Sequence, residues 1–418
     1  MFAQKKTSSD IRYLDVLVPR GLVTSGRNLL NAPVTSEGLC SLRMFLGDGI
    51  IRGFDKISYC PEKCFGLLLP RLVEPHAHID KAFTWKDFPN LSGTYEGAMK
   101  ANLEEHKNRN KSKVRSRAEK LLGLGLKNGI RAVRSHVDSF GLVGGETWDV
   151  LLEIKSEWEQ KIELQLVAMV PLEYWISNEG ETLAKRVSKE GGLLGGVIGP
   201  PYKKKLLRES LLNVFSLAND LGCGIDFHID ESHLDPGGGL RELLYVLDRI
   251  SMDVPITCSH LSSMSLLSHE NLCFFAERLA HYNVKVVALP LTNFWLLSRH
   301  YMATPVKRPL APINQLQKAG VTVGIGGDNV QDPWNPIGDF DPLSLIAASI
   351  PMAQVAPWKR EGLATFTTGA ARIMDLEWDG SFQVGSPADF ILLDADSWTS
   401  ALSMSPDRKV MINGAWVE

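Results

Sequence analysis

Eight short apolar runs, each followed by a longer amphipathic stretch, restrict this chain to very few architectures. They read "GLLLPRLVEPH", "GIRAVRSHVD", "IELQLVAMVP", "LLGGVIGPP", "GIDFHID", "PITCSHL", "VKVVALP" and "VTVGIGGD", starting at residues 66, 129, 162, 193, 224, 255, 284 and 321. Near-continuous apolar runs of this length suit strands buried on both faces, as in a parallel sheet. The intervening segments carry helical periodicity: in "LLRESLLNVFSLANDL", Leu207, Leu211, Val214, Phe215 and Ala218 fall on one face. A second such segment is "SHENLCFFAERLAHYN".

Eight alternating strand–helix units over roughly 250–300 residues predict a (β/α)8 barrel of α/β class. A doubly wound open sheet is the alternative, but no glycine-rich dinucleotide fingerprint follows the early strands. Short strands and turns flank the repeats: "IRYLDVLV" and "SLRMFLGDGIIRGF" before them, "FQVGSPADFILLDA" and "KVMINGAWVE" after them. The expectation is a small β-sandwich domain built from residues 1–66 and 378–418, with the barrel, 67–377, inserted between its halves.

Composition narrows the partners. With 44% hydrophobic and 22% charged residues and a net charge of −3, the chain has the profile of an ordinary globular protein. That charge argues against general attraction to nucleic acid or to anionic membrane. The basic run Lys107–Arg117 reads as the solvated face of a helix. The polar start "MFAQKKTSSD" lacks a signal-type apolar core, and no uncharged apolar stretch is long enough to span a bilayer. Six cysteines form no disulfide framework, and Cys60 and Cys64 have no matching second pair for a zinc site. Cys258 reads as core packing. A reduced, cytoplasmic setting is expected.

In barrel enzymes the chemistry gathers at the C-terminal ends of the strands. Five of the ten histidines lie there: His76, His78, His136, His228 and His260; Asp328 ends the last run. Residues i and i+2 of a strand project to one face, so His76 and His78 can converge. His228 and Asp328 would complete a set of three imidazoles and one carboxylate, suited to zinc or ferrous iron with one position open for water. Each residue alone has a plainer explanation; Asp328 equally fits a turn or helix N-cap. Their joint placement does not. Glu231, three residues past His228, could carry a proton from water to a leaving group. His260 fits an unligated partner of the attacking hydroxide.

The motifs "EPHAHIDK", "RSHVD", "HIDE", "CSHL", "LPLTN", "GIGGDNVQDPWNPIG", "TTGAARIMDL" and "VGSPADFILLDA" occur in that order. As a set they resemble the amidohydrolase superfamily, within it the cytosine deaminase-like branch, over nearly the whole chain. The resemblance implies metal ligation by His76, His78, His228 and Asp328, proton shuttling by Glu231, and water orientation by His260 and Asp328. It implies that Trp334 lines the ring pocket, and it places Lys81 and His136 beside the substrate with no firm role for either. Binuclear members use a lysine on the fourth strand; here "LLGGVIGPPY" has none, and Lys203 comes only afterwards. One divalent ion, Zn2+ or Fe2+, is therefore expected. Cytosine deaminases carry a glutamine after the proline that ends the third strand. Leu172 stands in that place, with Glu173 next. Leucine cannot make an amide's paired hydrogen bonds, which argues against cytosine itself unless Glu173 takes over.

The sequence thus predicts a metal-dependent aminohydrolase that releases ammonia from a planar nitrogen heterocycle, such as a cytosine-like pyrimidine, by attack of a metal-bound hydroxide. The alternative is an N-alkylaminotriazine-type enzyme releasing an alkylamine. A non-catalytic metal-binding relative would lack a ligand or the acid, and neither is missing. The expected partner is a small heterocyclic substrate, with no nucleic acid and no membrane; self-association is left open.

Overall fold

A computed structural model describes residues 12–24, 33–58, 66–300 and 302–417. Cys60, Cys64 and the N-terminal decapeptide lie outside these residues. The strands, in chain order, are β1 (Arg12–Pro19), β2 (Leu39–Gly47), β3 (Ile50–Lys56), β4 (Gly66–Pro70), β5 (Leu72–Ala77), β6 (Ile130–Asp138), β7 (Glu163–Met169), β8 (Leu193–Ile198), β9 (Ile225–Ile229), β10 (Ile256–His260), β11 (Lys285–Ala288), β12 (Val323–Ile325), β13 (Phe390–Leu393), β14 (Arg408–Ile412) and β15 (Ala415–Trp416).

The chain divides into two compact units, one of residues 1–73, 124–131 and 341–418, the other of residues 74–123 and 132–340. The sequence-based seams fall elsewhere, at 66/67 and 377/378. The first unit holds one seven-stranded sheet of order β15-β14-β13-β4-β1-β2-β3, made from both chain ends. Its edge strand β3 makes one further antiparallel bridge, from Ile50 to Pro387 in the segment before β13.

The second sheet runs β5 to β12 in sequential order, with parallel pairing registered from β6 to β12. A parallel bridge from Ala77 to Asp328 joins the last strand's end to the first. This is the (β/α)8 barrel. Strands β5, β9, β10 and β11 are buried at every residue, as expected where helices cover one face and packed side chains the other. The helices of this part are α1 (Tyr95–Lys107), α2 (Lys111–Lys127), α3 (Gly141–Trp158), α4 (Asn178–Lys189), α5 (Lys204–Leu221), α6 (Gly238–Leu247), α7 (His269–His281), α8 (Pro290–Leu296) and α9 (Ile313–Lys318). Helix α5 buries Leu211, Val214, Phe215 and Ala218 of the predicted stripe, leaves Leu207 half-buried, and ends at Gly222 with φ +62°. Helices α1, α4 and α7 start at Thr94, Ser177 and Ser268, whose hydroxyls each accept a backbone N–H of the first turn.

Two expectations need correction. The run "GLLLPRLVEPH" is two strands: β4 pairs with β1 and β13, and β5 begins the barrel. The switch falls at Arg71, whose guanidinium donates to the Ile130 carbonyl at 2.7 Å and faces Asp389 at 3.4 Å. Both halves are buried, so hydropathy does not register the break. The basic run Lys107–Arg117 is also not one solvated helix face. It is interrupted between α1 and α2, and Arg109 is buried there, bonded to Asp80, Glu105 and Asp138. Glu105 is one turn away, but Asp80 and Asp138 lie 29 residues off on either side, which charge counting along the sequence does not see. Cys258 is fully buried, as expected.

Candidate active site

Four side chains meet at the C-terminal mouth of the barrel. His78 Nε2 lies 3.3 Å and His76 Nε2 3.6 Å from Asp328 Oδ1, and His228 Nε2 lies 3.4 Å from His78 Nε2. His76, His78 and His228 present ring nitrogens within one 4.8 Å cluster; His76, His260 and Asp328 form another. The backbone sets this convergence: Asp328 N–H donates to the His76 carbonyl at 3.1 Å, closing the barrel where the two motifs meet. Glu74 reinforces the seam by accepting from the His76 and Gly327 amides. Burial pushes the Glu74 carboxyl up to about 8.

The tautomers leave the inner nitrogens free. His78 Nδ1 donates to the His136 carbonyl at 3.0 Å. His76 Nδ1 lies 2.9 Å from Ser259 Oγ, whose own proton goes to Asp226 Oδ1 at 2.8 Å, so the serine oxygen accepts from the imidazole. Asp226 is held in turn by Arg134 at 2.9 Å. Both rings are thereby fixed with the lone pair on Nε2, the arrangement that suits a metal-ligating histidine. Burial, then the neighbouring imidazoles, holds His76 and His228 well below the usual histidine range, so both are neutral. Burial pushes the Asp328 carboxyl up, yet its net shift is downward, toward the charged form. His76 Nε2 and both Asp328 oxygens are buried without a hydrogen-bond partner among the described residues. Such a set of bare acceptors fits a divalent cation and little else.

Beside the cluster, Asn293 donates to His260 Nδ1 at 3.0 Å, which leaves the proton on His260 Nε2, facing the cluster. Burial lowers the His260 pKa to about 3, so the ring is neutral. Glu231 Oε1 lies 3.5 Å from His260 Nδ1. Burial first, then the Asp328 charge, raises the Glu231 carboxyl well above its ordinary value, as suits a group that holds and passes a proton. The preceding Asp230, at φ +56°, accepts from the Gly239 and Leu240 amides at the start of α6 and from Tyr202, which pins the loop bearing Glu231. His260 and Asp328 also sit at positive φ, +74° and +64°, conformations that non-glycine residues adopt only under constraint.

His78, His228, Glu231, His260 and Asp328 line the floor of a cavity of about 690 Å3, and His76 is fully buried beside them. Its wall includes the predicted Trp334, Lys81 and Glu173. Trp334 is held by the loop "DNVQDPWN", in which Asp332 accepts from the Trp334 and Asn335 amides and from the Asn329 side chain. Lys81 is bound to Asp138 at 2.8 Å. Leu172 and His136 do not line the cavity. Leu172 packs so close to Gly196 that a Cβ there would approach Leu172 Cδ1 to 3.0 Å. His136 stacks on His76 with ring centroids 3.9 Å apart and sits 3.7 Å from Asp226, beneath the floor.

Several wall residues had no sequence signal. Helix α1 contributes Tyr95, Met99, Asn102 and Leu103. Tyr95 meets Trp334 edge-on at 5.0 Å, and Asn90 ties the two segments together by donating to the Thr94 and Pro333 carbonyls. The "Tyr95-x3-Met99-x3-Leu103" spacing was available as one helix face, but nothing local marks that face as lining a cavity.

Comparison with known proteins decides the family. A family model described as the amidohydrolase family matches residues 199–417, just over half of the chain. The chain belongs to the amidohydrolase family. It is a hydrolytic enzyme acting on C–N bonds, of a generally metal-dependent family. The pterin deaminase of Rhizobium rhizogenes is 28% identical over 398 residues, covering 92% of this chain and 89% of the relative. The N-isopropylammelide isopropyl amidohydrolase of Pseudomonas sp. is 23% identical over 336 residues, 79% of this chain and 80% of that protein. The structure of 5-methylcytosine deaminase from Klebsiella pneumoniae, liganded with phosphonocytosine, superposes with a TM-score of 0.80 at 22% identity. It covers 96% of this chain and 98% of that one, a likeness of fold. No helix among the described residues is long and apolar enough to cross a membrane.

Proposed function

We propose that this amidohydrolase is an aminohydrolase that replaces the exocyclic amine of a planar nitrogen heterocycle with oxygen, consuming water and releasing ammonia. The observation that carries the reading is the pair of unpartnered buried acceptors, His76 Nε2 and the Asp328 carboxylate, clustered with His78 and His228 where Asp328, Glu231 and Trp334 line one cavity. One divalent ion, zinc or ferrous iron, would be held by His76, His78, His228 and Asp328. When bound, it supplies an activated water at neutral pH, lowering the water's pKa from about 15.7 to about 7.

The chain's own residues do the rest. Asp328 and His260 orient the attacking oxygen toward the amine-bearing carbon. Glu231 takes the water's first proton to a ring nitrogen, then takes the second from the newly added hydroxyl to the departing amine as the C–N bond breaks and the carbonyl forms. Trp334 offers its face to the flat ring, and Lys81, bound to Asp138 through one of its three protons, keeps donors for the ring's polar edge. A single ion is favoured because β8 carries no lysine, and because Asp226, the carboxylate near His136, is already neutralised by Arg134.

The pterin deaminase relative and the cavity volume, within the roughly 300–1,000 Å3 that holds drug-sized ligands, support a fused two-ring substrate over a single pyrimidine. Leu172, turned away from the cavity, supports the same preference. The second reading, release of an alkylamine from a triazine, is favoured by the N-isopropylammelide-hydrolysing relative. Metal-loaded protein should be assayed for ammonia and alkylamines over pyrimidines, triazines and pterins. Ammonia from a pterin supports the first reading, and an alkylamine from a triazine the second. Absence of both amines across the panel removes the proposal.

A further inference from the structure

The cavity is larger than a flat heterocycle over the floor needs, and one part of its wall is apolar, although Glu96, Arg299 and His233 also line it. Helix α1 lines it with Tyr95, Met99 and Leu103, spaced four residues apart and therefore on one face. Met99 is 38% and Leu103 43% exposed, and Leu234, from the loop after β9, is 57% exposed. Phe140, at the start of α3, lines the same cavity. Scattered exposed apolar residues are ordinary, but several that line one cavity with a reactive centre mark a binding surface. The wall is also held in place. Thr94 caps α1, and Gly97 leaves no room for a side chain, since a Cβ there would lie 2.2 Å from Ser92 Oγ and 2.4 Å from Asn90 Oδ1. Ala98 packs on Leu296 and Leu297, with Trp334 against the same cluster. The apolar face of α1 is thus fixed relative to the ring-stacking tryptophan.

We propose that this outer compartment is a substituent subsite, and that the substrate is a heterocycle carrying an alkyl or aryl group that lies on Tyr95, Met99, Leu103, Phe140 and Leu234 while its amine reaches the floor. The inference rests on the aminohydrolase reading and names the substrate class more narrowly. It also gives Tyr95 a place: its ring packs T-shaped against Trp334 at 5.0 Å, joining the apolar face of α1 to the tryptophan. The substituent gains by desolvation against this wall, so selectivity should grow with its apolar area.

The test uses metal-loaded full-length protein and pterins bearing hydrogen, methyl, ethyl or propyl at ring position 6, with the 7-substituted series in parallel. In one of the two series kcat/KM should rise by about fourfold per methylene, so about fifteenfold from methyl to propyl. Met99→Gln and Leu103→Gln, which keep length but add polarity, should each reduce the propyl-to-methyl ratio several-fold. Their circular dichroism and metal content report whether the variant has folded. A flat or falling dependence on chain length in both series overturns the subsite, as does a ratio unmoved in both variants. If no pterin is turned over, the aminohydrolase reading fails on this ring. The subsite is then judged from calorimetric dissociation constants of the same compounds, where equal or unmeasurable affinities across the series overturn it.

Discussion

Ser259→Ala tests how the His76 imidazole, a proposed metal ligand, is held. Ser259 Oγ is buried, lies 2.9 Å from His76 Nδ1 and donates to Asp226 Oδ1 at 2.8 Å. Alanine removes a single atom, so packing changes little, but two buried polar groups lose their partner at once. Leaving a buried donor or acceptor unmade costs about 1–3 kcal/mol. Part of that cost appears as stability and part as metal affinity, because the His76 ring no longer has its Nδ1 proton and orientation fixed. Partners of this kind are worth roughly 10–100-fold in affinity or activity. Competition between the apo-protein and a chromophoric chelator should show zinc binding weakened 10–100-fold in Ser259→Ala, with turnover at saturating metal much less affected. Ser259→Thr, which retains the hydroxyl, should recover most of the affinity if the extra methyl is accommodated. Zinc affinity within twofold of the parent in Ser259→Ala would refute the argument that this chain of bonds orients the ligand.

Glu231→Gln keeps shape but cannot carry a proton; metal stoichiometry should be unchanged while kcat falls by about 10²–10⁴-fold, and unchanged turnover would remove Glu231 from the mechanism. Arg109→Met leaves Asp80, Glu105 and Asp138 buried together without their shared cation, so urea unfolding should show a loss of about 3–5 kcal/mol. The exposed Lys107–Glu104 pair supplies the contrast: Lys107→Ala should cost less than about 1 kcal/mol. Comparable losses in the two variants would contradict the assignment of Arg109 to a buried network.

The barrel was legible because most of its strands are covered on both faces and so appear as apolar runs, five of the eight carrying a histidine or aspartate at or beside their ends. The histidines and Asp328 were legible because strand ends of a barrel are brought to one mouth, whatever their separation in sequence. What stayed hidden depends on which way a chain turns. The break at Arg71 is buried on both sides, so hydropathy is blind to it. Arg109 looked solvated because its three carboxylates are contributed by residues 80, 105 and 138. Leu172 was placed in the substrate wall by alignment of motif, whereas it packs on Gly196 and its neighbour Glu173 lines the cavity. Helix α1 reads as a mildly amphipathic surface helix, and only the fold reveals that its apolar face looks into the cavity rather than into a core.

The central claim is that one divalent ion on His76, His78, His228 and Asp328 makes this chain a deaminase. Apo-protein titrated with zinc or ferrous iron, with ammonia release from pterin followed at each addition, tests it most directly. The account predicts activity that rises in proportion to metal bound and levels off at one equivalent per chain. Activity that needs a second equivalent, or ammonia release indifferent to the metal, would contradict it.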